Sequence, residues 1–323
     1  MELQTIPANW HQHAFRAMGC QMTVWLEAPD EDLAGSALSE AEMMFVRAER
    51  VLSRFDPFSE LSRLNHSTGR WIPVSALLWT VIAQALVMAD ETDGLFDPTQ
   101  LNALLAAGYD HSFDHLAGEP ARPTGYDPVA TPGQWQAVAL DADIQAVWLP
   151  PGLGLDLGGI AKGYTAQLVV DFLGETGPSL VDAGGDICAG AAPAGWPGWP
   201  VGLSAPGAAD SGVELLSLWL ADGSMATSGI DYRRWQRAGE TMHHLMDPRT
   251  GRSAQTDLLT ATVLARSAVR AEAWATAALV AGSSSAFDLL AENGLAAALV
   301  DQHHELQLTP LLAPAAAANA VII

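Results

Sequence analysis

The sequence predicts an α+β protein, built as one domain with two lobes, from three observations. Its 323 residues are 49% hydrophobic and only 16% charged, which is enough apolar material for a large core. Helical and strand patterns follow one another without strict alternation, which favours mixed or antiparallel sheets over a doubly wound parallel sheet. No linker divides the chain, so we expect one domain over residues 1–309 and a poorly ordered Ala- and Pro-rich tail at 310–323.

Apolar residues at helical spacing predict five helices. They cover residues 36–55, 75–92, 160–173, 267–281 and 286–292. Ser75 is the expected N-cap of the second helix, and Gly94 is expected to end it.

Alternating or short apolar runs predict the strands. We expect one strand over 15–27 that bends at a Met-Gly pair, a hairpin over 135–149, short strands at 153–157 and 179–181, a strand from Ile187, a strand over 213–220, and a hairpin over 295–308. Residues 117–132 and 189–200 are rich in Pro, Gly and Ala and are expected to be loops.

The net charge of -22 narrows the range of partners. Such an acidic surface repels nucleic acid and anionic lipid, so neither is an expected partner. The N-terminus lacks the pattern of a secretory signal, and no apolar run is long enough to span a bilayer, so we expect a cytoplasmic location without membrane insertion. A phosphorylated small ligand stays compatible with this charge if backbone N–H groups, a lysine or a metal offset it locally.

The segment at 156–163, DLGGIAKG, is the first candidate for a binding site. Gly158 and Gly159 permit close backbone approach, the following helix N-terminus favours an anion, and Lys162 adds a positive charge. The segment is neither a Walker A loop nor a GxGxxG fingerprint, since Ala161 precedes the lysine and Gly163 follows it. It suits a phosphate or pyrophosphate, and an ordinary glycine-rich turn explains it equally well.

Two further segments carry polar groups. Thr227 and Ser228 offer hydroxyls beside a glycine, and His244 can accept a proton near neutral pH, although a structural histidine is the simpler alternative. Glu272 and Thr276 are four residues apart on a predicted helix, so their oxygens share one face and suit Mg²⁺; a plain helix-cap or solvated pair is the alternative.

Taken in order, these segments resemble the ApbE family of FAD:protein FMN transferases. The resemblance is carried by FRAMG at 15–19, SELSRLN at 59–65, GLFDPT at 94–99, DLGGIAKG at 156–163, VDAGGDI at 181–187, TSG at 227–229 and the block from His244 to the DPRTG at 247–251. It implies a T-fold-like architecture, FAD as substrate and a Mg²⁺ ion. It also implies that the FAD pyrophosphate is cleaved, that FMN passes to a Thr or Ser of an acceptor protein, and that AMP is released.

The resemblance assigns roles to particular residues. It implies that His244 and Lys162 act in catalysis and that the Ala161 carbonyl, Glu272 and Thr276 hold the metal. The cofactor contacts that it implies are Met18, Asn65, Asp97, Gly158, Gly159, Lys162, Asp182, Thr227 and Ser228.

Two residues depart from the family pattern, with Glu272 in place of the usual aspartate and Cys20 where threonine is commoner. The first bears on metal affinity, because Mg²⁺ tolerates poor geometry badly. Two alternatives therefore stay open beside the transferase: a FAD pyrophosphatase that yields FMN and AMP, and a non-catalytic FAD-binding protein.

Overall fold

The computed structural model describes residue 7 and residues 9–113, 132–207, 213–237, 240–318 and 321–322. Apart from Pro132, the loop predicted over 117–132 lies outside these ranges. No helix in the described part of the chain combines the length and apolar character needed to cross a bilayer.

An antiparallel sheet of eight strands forms the centre of the described structure. In spatial order, with labels in chain order, its strands are β1 (Trp10–Ala17), β2 (Cys20–Glu27), β6 (Ser179–Ala183), β7 (Ile187–Ala189), β10 (Gly223–Gly229), β15 (Leu258–Ala265), β16 (Ala296–Asp301) and β17 (Leu306–Leu308). The N-terminal strands β1 and β2 form one edge of this sheet, and the C-terminal strands β16 and β17 form the other.

Smaller sheets and hairpins surround this sheet. They are β3 (Trp71–Pro73), β5 (Ala146–Trp148) and β4 (Ala139–Asp141) in one antiparallel sheet; β8 (Trp199–Ser204), β9 (Glu214–Leu220) and β18 (Val321–Ile322) in one mixed sheet; and the pairs β11 (Arg234–Arg237) with β12 (Glu240–His243) and β13 (Met246–Asp247) with β14 (Arg252–Ser253). The α+β fold with antiparallel and mixed sheets is therefore confirmed.

The described helices include three of six residues and five longer ones. They are α1 (Glu31–Leu52), α2 (Glu60–Asn65), α3 (Ala76–Glu91), α4 (Leu101–Ala106), α5 (Ala161–Leu173), α6 (Ala268–Ala281), α7 (Ser283–Glu292) and α8 (Ala313–Ala318). A short 3₁₀ helix covers Gln134–Ala137. The predicted N-cap of α3 is confirmed, because Ser75 accepts a hydrogen bond from the N–H of Leu78.

The two faces of the large sheet bury different partners, as the alternation along β2 shows. Met22, Val24 and Leu26 are fully buried in one core cluster with residues of α1 and α5. Trp25 points to the opposite face, where it packs against a cluster that includes the fully buried Trp199. The period of two along a strand thus places the long helices on one face and the β8–β9 sheet on the other.

Three expectations from the sequence are corrected. The single bent strand predicted over 15–27 is a hairpin, because Met18 and Gly19 both take positive φ, 50° and 70°, and reverse the chain between Ala17 and Cys20. Residues 153–157 were predicted to be a strand but do not pair with any described strand. Their apolar alternation reflects burial, and the backbone of Leu155 forms hydrogen bonds with the side-chain amide of Asn65.

The third correction concerns the tail over 310–323, which was expected to be poorly ordered. Its described part forms α8 and the short strand β18, which pairs in parallel with β9 at Trp219 and Leu220. Leu312, just before α8, is fully buried in the cluster around Trp199. Burial of Leu312 therefore anchors the start of this segment, despite its Ala- and Pro-rich composition.

Candidate active site

The glycine-rich turn, which contains Gly158 and Gly159, lies at the N-terminus of α5. An ion pair between Arg54 and Asp156 holds it in place. Asp156 accepts the N–H of Gly158 at 2.8 Å and pairs through its other oxygen with Nε of Arg54, whose side chain is 6% exposed. The Arg54 guanidinium also lies 4.6 Å from the ring centre of Tyr109 and donates to the carbonyl of Tyr109 at 2.8 Å. The turn is thus positioned by a side chain from a distant part of the sequence.

A buried cluster of one ammonium and two carboxylates forms the centre of the site. Nζ of Lys162 donates to Oδ2 of Asp186 and, at 2.9 Å, to Oε1 of Glu272. Oε2 of Glu272 accepts the N–H of Gly163 at 2.9 Å, and Oδ1 of Asp186 accepts the N–H of Thr227 at 3.3 Å. A turn, a hairpin and a helix from three regions of the sequence therefore meet at these charges.

Burial and charge shift the pKa values in this cluster in a consistent way. Burial raises the pKa of Glu272, assisted by the negative charge of Asp186 and opposed by Lys162. Burial alone would lower the pKa of Lys162, but the charges of Asp186 and Glu272 outweigh it and raise the pKa. Lys162 is therefore a fixed positive charge at neutral pH, and the two carboxylates share a single counter-ion.

Hydroxyl groups line the strand beside the cluster. Ser228 on β10 and Thr276 on α6 lie 3.1 Å apart through their oxygens, and Thr227 and Thr262 lie 2.9 Å apart in the same way. Glu272 and Thr276 do share one face of α6, as their spacing predicted. Thr276 is also close to the turn, since a β-carbon on Gly159 would lie 3.9 Å from its hydroxyl oxygen.

His244 is a partly buried, neutral imidazole near the positive charges of the site. Burial, followed by the charges of Arg233, His243 and Lys162, lowers the pKa of His244 to about 3. Its Nδ1 is buried and has no hydrogen-bond partner among the described residues, and its ring meets that of Tyr109 edge-on at 6.4 Å. A neutral imidazole with an unpaired nitrogen can accept a proton.

The turn of the β1–β2 hairpin lies near the cluster, because Cys20 contributes to the electrostatics of Lys162. Arg233 donates to the sulfur of Cys20 at 3.2 Å, and a β-carbon on Gly184 would lie 2.7 Å from the β-carbon of Cys20. The neighbouring Met18 is partly buried. Asp182 accepts the N–H of Gly185 at 2.7 Å, and burial raises the pKa of its carboxyl group.

Asn65 and Asp97 are engaged in local contacts that support the turn. The Asn65 amide bonds both the N–H and the carbonyl of Leu155, at 2.8 and 2.9 Å. Asp97 is buried and accepts the N–H of Thr99 at 2.7 Å, and burial raises the pKa of Asp97. Contacts of these two side chains with a cofactor stay a prediction.

Several residues of the site were not predicted from the sequence. They are Arg54, Asp186, Arg233 and Thr262. Asp186 had a usable signal, because it is the second acidic residue around the double glycine at 184–185. The others had none, since their partners are far away in the chain.

The residues at the cluster fit a hard divalent cation by their chemistry. Asp186 and Glu272 supply carboxylate oxygens and Thr276 supplies a hydroxyl, and the carbonyl of Ala161, which accepts the hydroxyl of Thr165 at 2.7 Å, is a further oxygen donor in the same helix turn as Lys162. All these donors are oxygen, which Mg²⁺ prefers. No group of three or more His, Cys, Asp or Glu residues suited to a metal occurs within the described ranges. Any such ion would therefore depend on the hydroxyl and carbonyl oxygens as well.

A glycine-rich turn before a helix, a buried lysine between two carboxylates and a neutral histidine define a class: enzymes that act on an anionic, phosphorylated substrate. A sequence model of the ApbE family matches residues 18–299. The chain belongs to the ApbE family, and the resemblance inferred from its motifs is confirmed.

The relatives agree with this assignment. The FAD:protein FMN transferase of Treponema pallidum is 31% identical over 291 residues, which is 84% of this chain and 78% of the relative. The transferase of Chlamydia trachomatis is 30% identical over 292 residues and 87% of each chain. The ApbE protein of Thermotoga maritima has the same fold, with a TM-score of 0.83 and 23% identity over 95% of this chain and 99% of that one.

Proposed function

We propose that this chain is a Mg²⁺-dependent FAD:protein FMN transferase. It cleaves the pyrophosphate of FAD, attaches FMN through a phosphoester bond to a Thr or Ser of an acceptor protein and releases AMP. The names of the relatives support this reaction, and the buried Lys162–Asp186–Glu272 cluster beside the glycine-rich turn is the observation that carries it. A cytoplasmic location and the absence of a nucleic-acid partner stay predictions.

The anionic part of the substrate would lie at the N-terminus of α5. The close backbone approach that Gly159 permits and the positive end of the helix favour a phosphate there. Lys162 adds a full positive charge in a site from which water is largely excluded, since its side chain is only 16% exposed. A charge in such surroundings stabilises a phosphoryl group more strongly than the same charge in water.

The proposed transfer makes one bond and breaks one. The acceptor hydroxyl oxygen bonds the phosphorus on the FMN side, the bond from that phosphorus to the bridging oxygen breaks, and AMP leaves with the bridging oxygen. The hydroxyl proton passes to His244, which is neutral because its pKa is lowered to about 3. General-base assistance of this kind contributes roughly 10²–10⁴-fold to a rate.

Glu272, Thr276 and the carbonyl of Ala161, with Asp186 beside them, would hold the divalent cation. When bound, such an ion neutralises charge on the pyrophosphate oxygens.

The test is to incubate the purified chain with FAD and Mg²⁺, with and without a threonine-containing acceptor peptide, and to analyse the mixture by mass spectrometry. A peptide heavier by one FMN, together with AMP, supports the transferase. Free FMN and AMP with unmodified peptide would indicate a pyrophosphatase, and intact bound FAD would indicate a binding protein. His244→Gln should abolish transfer, whereas the matched variant His243→Gln should retain it, because the His243 ring instead contacts the carbonyl of Ala254 at 2.9 Å.

A further inference from the structure

Lys162 is the only lysine of the chain, because the other fourteen of its 15 basic residues are arginines. It is also the positive charge in direct contact with both carboxylates of the cluster. A lysine is a compact charge on a flexible four-carbon side chain, so it can change partners more easily than a planar guanidinium. This combination suggests that Lys162 moves between partners during the reaction.

The carboxylates are held independently of the lysine side chain. Glu272 is fixed by the backbone N–H of Gly163 at 2.9 Å, and Asp186 is fixed by the backbone N–H of Thr227 at 3.3 Å. Packing around Glu272 is tight, since a β-carbon on Gly163 would lie 2.7 Å from its Oε2. The two carboxylates therefore keep their positions if the ammonium leaves.

We propose that Lys162 and a divalent cation compete for the carboxylates of Asp186 and Glu272, so that cation binding releases the lysine toward the substrate pyrophosphate. This inference rests on the proposed function only in taking the cation to be that of the transferase. It makes Lys162 an internal counter-ion when no dication is bound and a phosphate-binding group when one is.

Electrostatics gives the direction of the competition. The carboxyl groups of Asp186 and Glu272 are both buried, and the ammonium of Lys162 is the cation in contact with them in this structure. A dication at the same oxygens neutralises both carboxylates and repels the nearby ammonium, because like charges also interact strongly where water is excluded. Lys162 lies in the first turn of α5, so an ammonium released from the carboxylates stays beside the anion site at that helix N-terminus.

A single lysine permits a direct test in the intact protein. We would label the chain with ¹³C at the lysine Cε, which gives one side-chain NMR signal, and titrate it with MgCl₂ without FAD. We expect a saturable shift of this signal toward the position of a solvent-exposed lysine. Electron paramagnetic resonance would measure Mn²⁺ binding in parallel. Saturable Mn²⁺ binding together with an unchanged lysine signal would overturn the proposal. The absence of any Mn²⁺ binding would also overturn it.

A variant tests the same competition from the other side. Lys162→Met removes the competing charge, and its Mn²⁺ affinity should rise by about tenfold or more at the effective dielectric of a partly buried site. The matched control is Arg270→Met on the same helix as Glu272: it removes one positive charge, which pairs with Glu91 at 2.6 Å, and should leave the affinity within about twofold. Equal or weaker binding by Lys162→Met would contradict the competition. If this variant does not fold, the labelled wild-type chain still decides the question.

The proposal and the proposed function can fail separately. A lysine response to Mg²⁺ without any FMN transfer would leave the competition standing and overturn the transferase. FMN transfer without a lysine response would support the transferase and overturn the competition.

Discussion

Gly163 allows a sharp test of how α5 and α6 meet at the site. It lies in the first turn of α5, and its N–H donates to Oε2 of Glu272. In Gly163→Ala, the new β-carbon would lie 2.7 Å from that oxygen and 3.2 Å from the β-carbon of Ala268. Neither neighbour can move freely, because Glu272 is 5% exposed and tied to Lys162, and Ala268 begins α6.

The expected loss of stability in Gly163→Ala is the balance of two opposing contributions. Alanine in place of a helical glycine usually stabilises a protein by about 0.5–1 kcal/mol. Overpacking of a tight interface costs about 1–3 kcal/mol. Gly163→Ala should therefore be less stable than the wild type by about 1–2 kcal/mol. Gly35→Ala is the matched control within α1, because its β-carbon would meet nothing within 4 Å, and it should be more stable than the wild type.

The assay is urea unfolding of the three proteins at neutral pH, followed by tryptophan fluorescence and by circular dichroism. We expect the free energies of unfolding of the two variants to differ by about 1–3 kcal/mol, which is the overpacking cost, because the glycine contribution is common to both. Equal stabilities of Gly163→Ala and Gly35→Ala would refute the close approach of α5 and α6. Because Glu272 must move, Gly163→Ala should also bind Mn²⁺ more weakly than Gly35→Ala does.

Three further predictions concern neighbouring contacts. Since the pKa of His244 is lowered to about 3, the unfolded chain binds more protons than the folded one between pH 3 and 6.5, and stability falls as the pH falls through that window. His244→Gln should therefore lose about 2 kcal/mol less than the wild type between pH 7 and pH 5 in urea unfolding, and equal losses would contradict the lowered pKa. Arg54→Met leaves the partly buried Asp156 without its partner and should destabilise the protein by about 1–3 kcal/mol, whereas the exposed Arg63→Met should change stability by less than about 0.5 kcal/mol; similar values for both would exclude the ion pair. Thr276→Val removes the hydroxyl contact with Ser228 and should cost about 1 kcal/mol by the same assay, together with Mn²⁺ affinity; unchanged affinity would exclude Thr276 as a ligand.

Local patterns were enough to predict most of the secondary structure. Capping and periodicity located α3, α5 and α6 to within one or two residues, because the signals for these helices are all contained in one short segment. The β1–β2 hairpin was missed because Met18 takes positive φ, which is uncommon for a residue other than glycine. The predicted strand at 153–157 failed because alternation reports burial and does not identify the hydrogen-bonding partner.

The features of the site also divide into those that a local sequence pattern predicts and those that it does not. Spacing within one helix placed the side chains of Glu272 and Thr276 on one face, and the glycine-rich block contained Lys162 itself. The contact between Lys162 and Glu272 spans 110 residues, and the one between Lys162 and Asp186 spans 24. No local pattern specifies such pairs, because they depend on which strands of the large sheet are neighbours.

The charge of -22 and an anionic substrate are compatible because the effect of charge is local. At physiological ionic strength the Debye length is about 8 Å, so carboxylates on distant surfaces contribute little to the potential at the site. Within the site, Lys162, Arg233 and Arg54 surround the turn and the neutral His244, and the charges of Lys162 and Arg233 reach that histidine strongly enough to lower its pKa. Burial is the larger cause of that lowered pKa, and the positive charges of Lys162 and Arg233 act in the same direction. The chain has few positive charges and a strongly acidic surface. Its only lysine nevertheless lies in the site, where the negative charge of the substrate is expected.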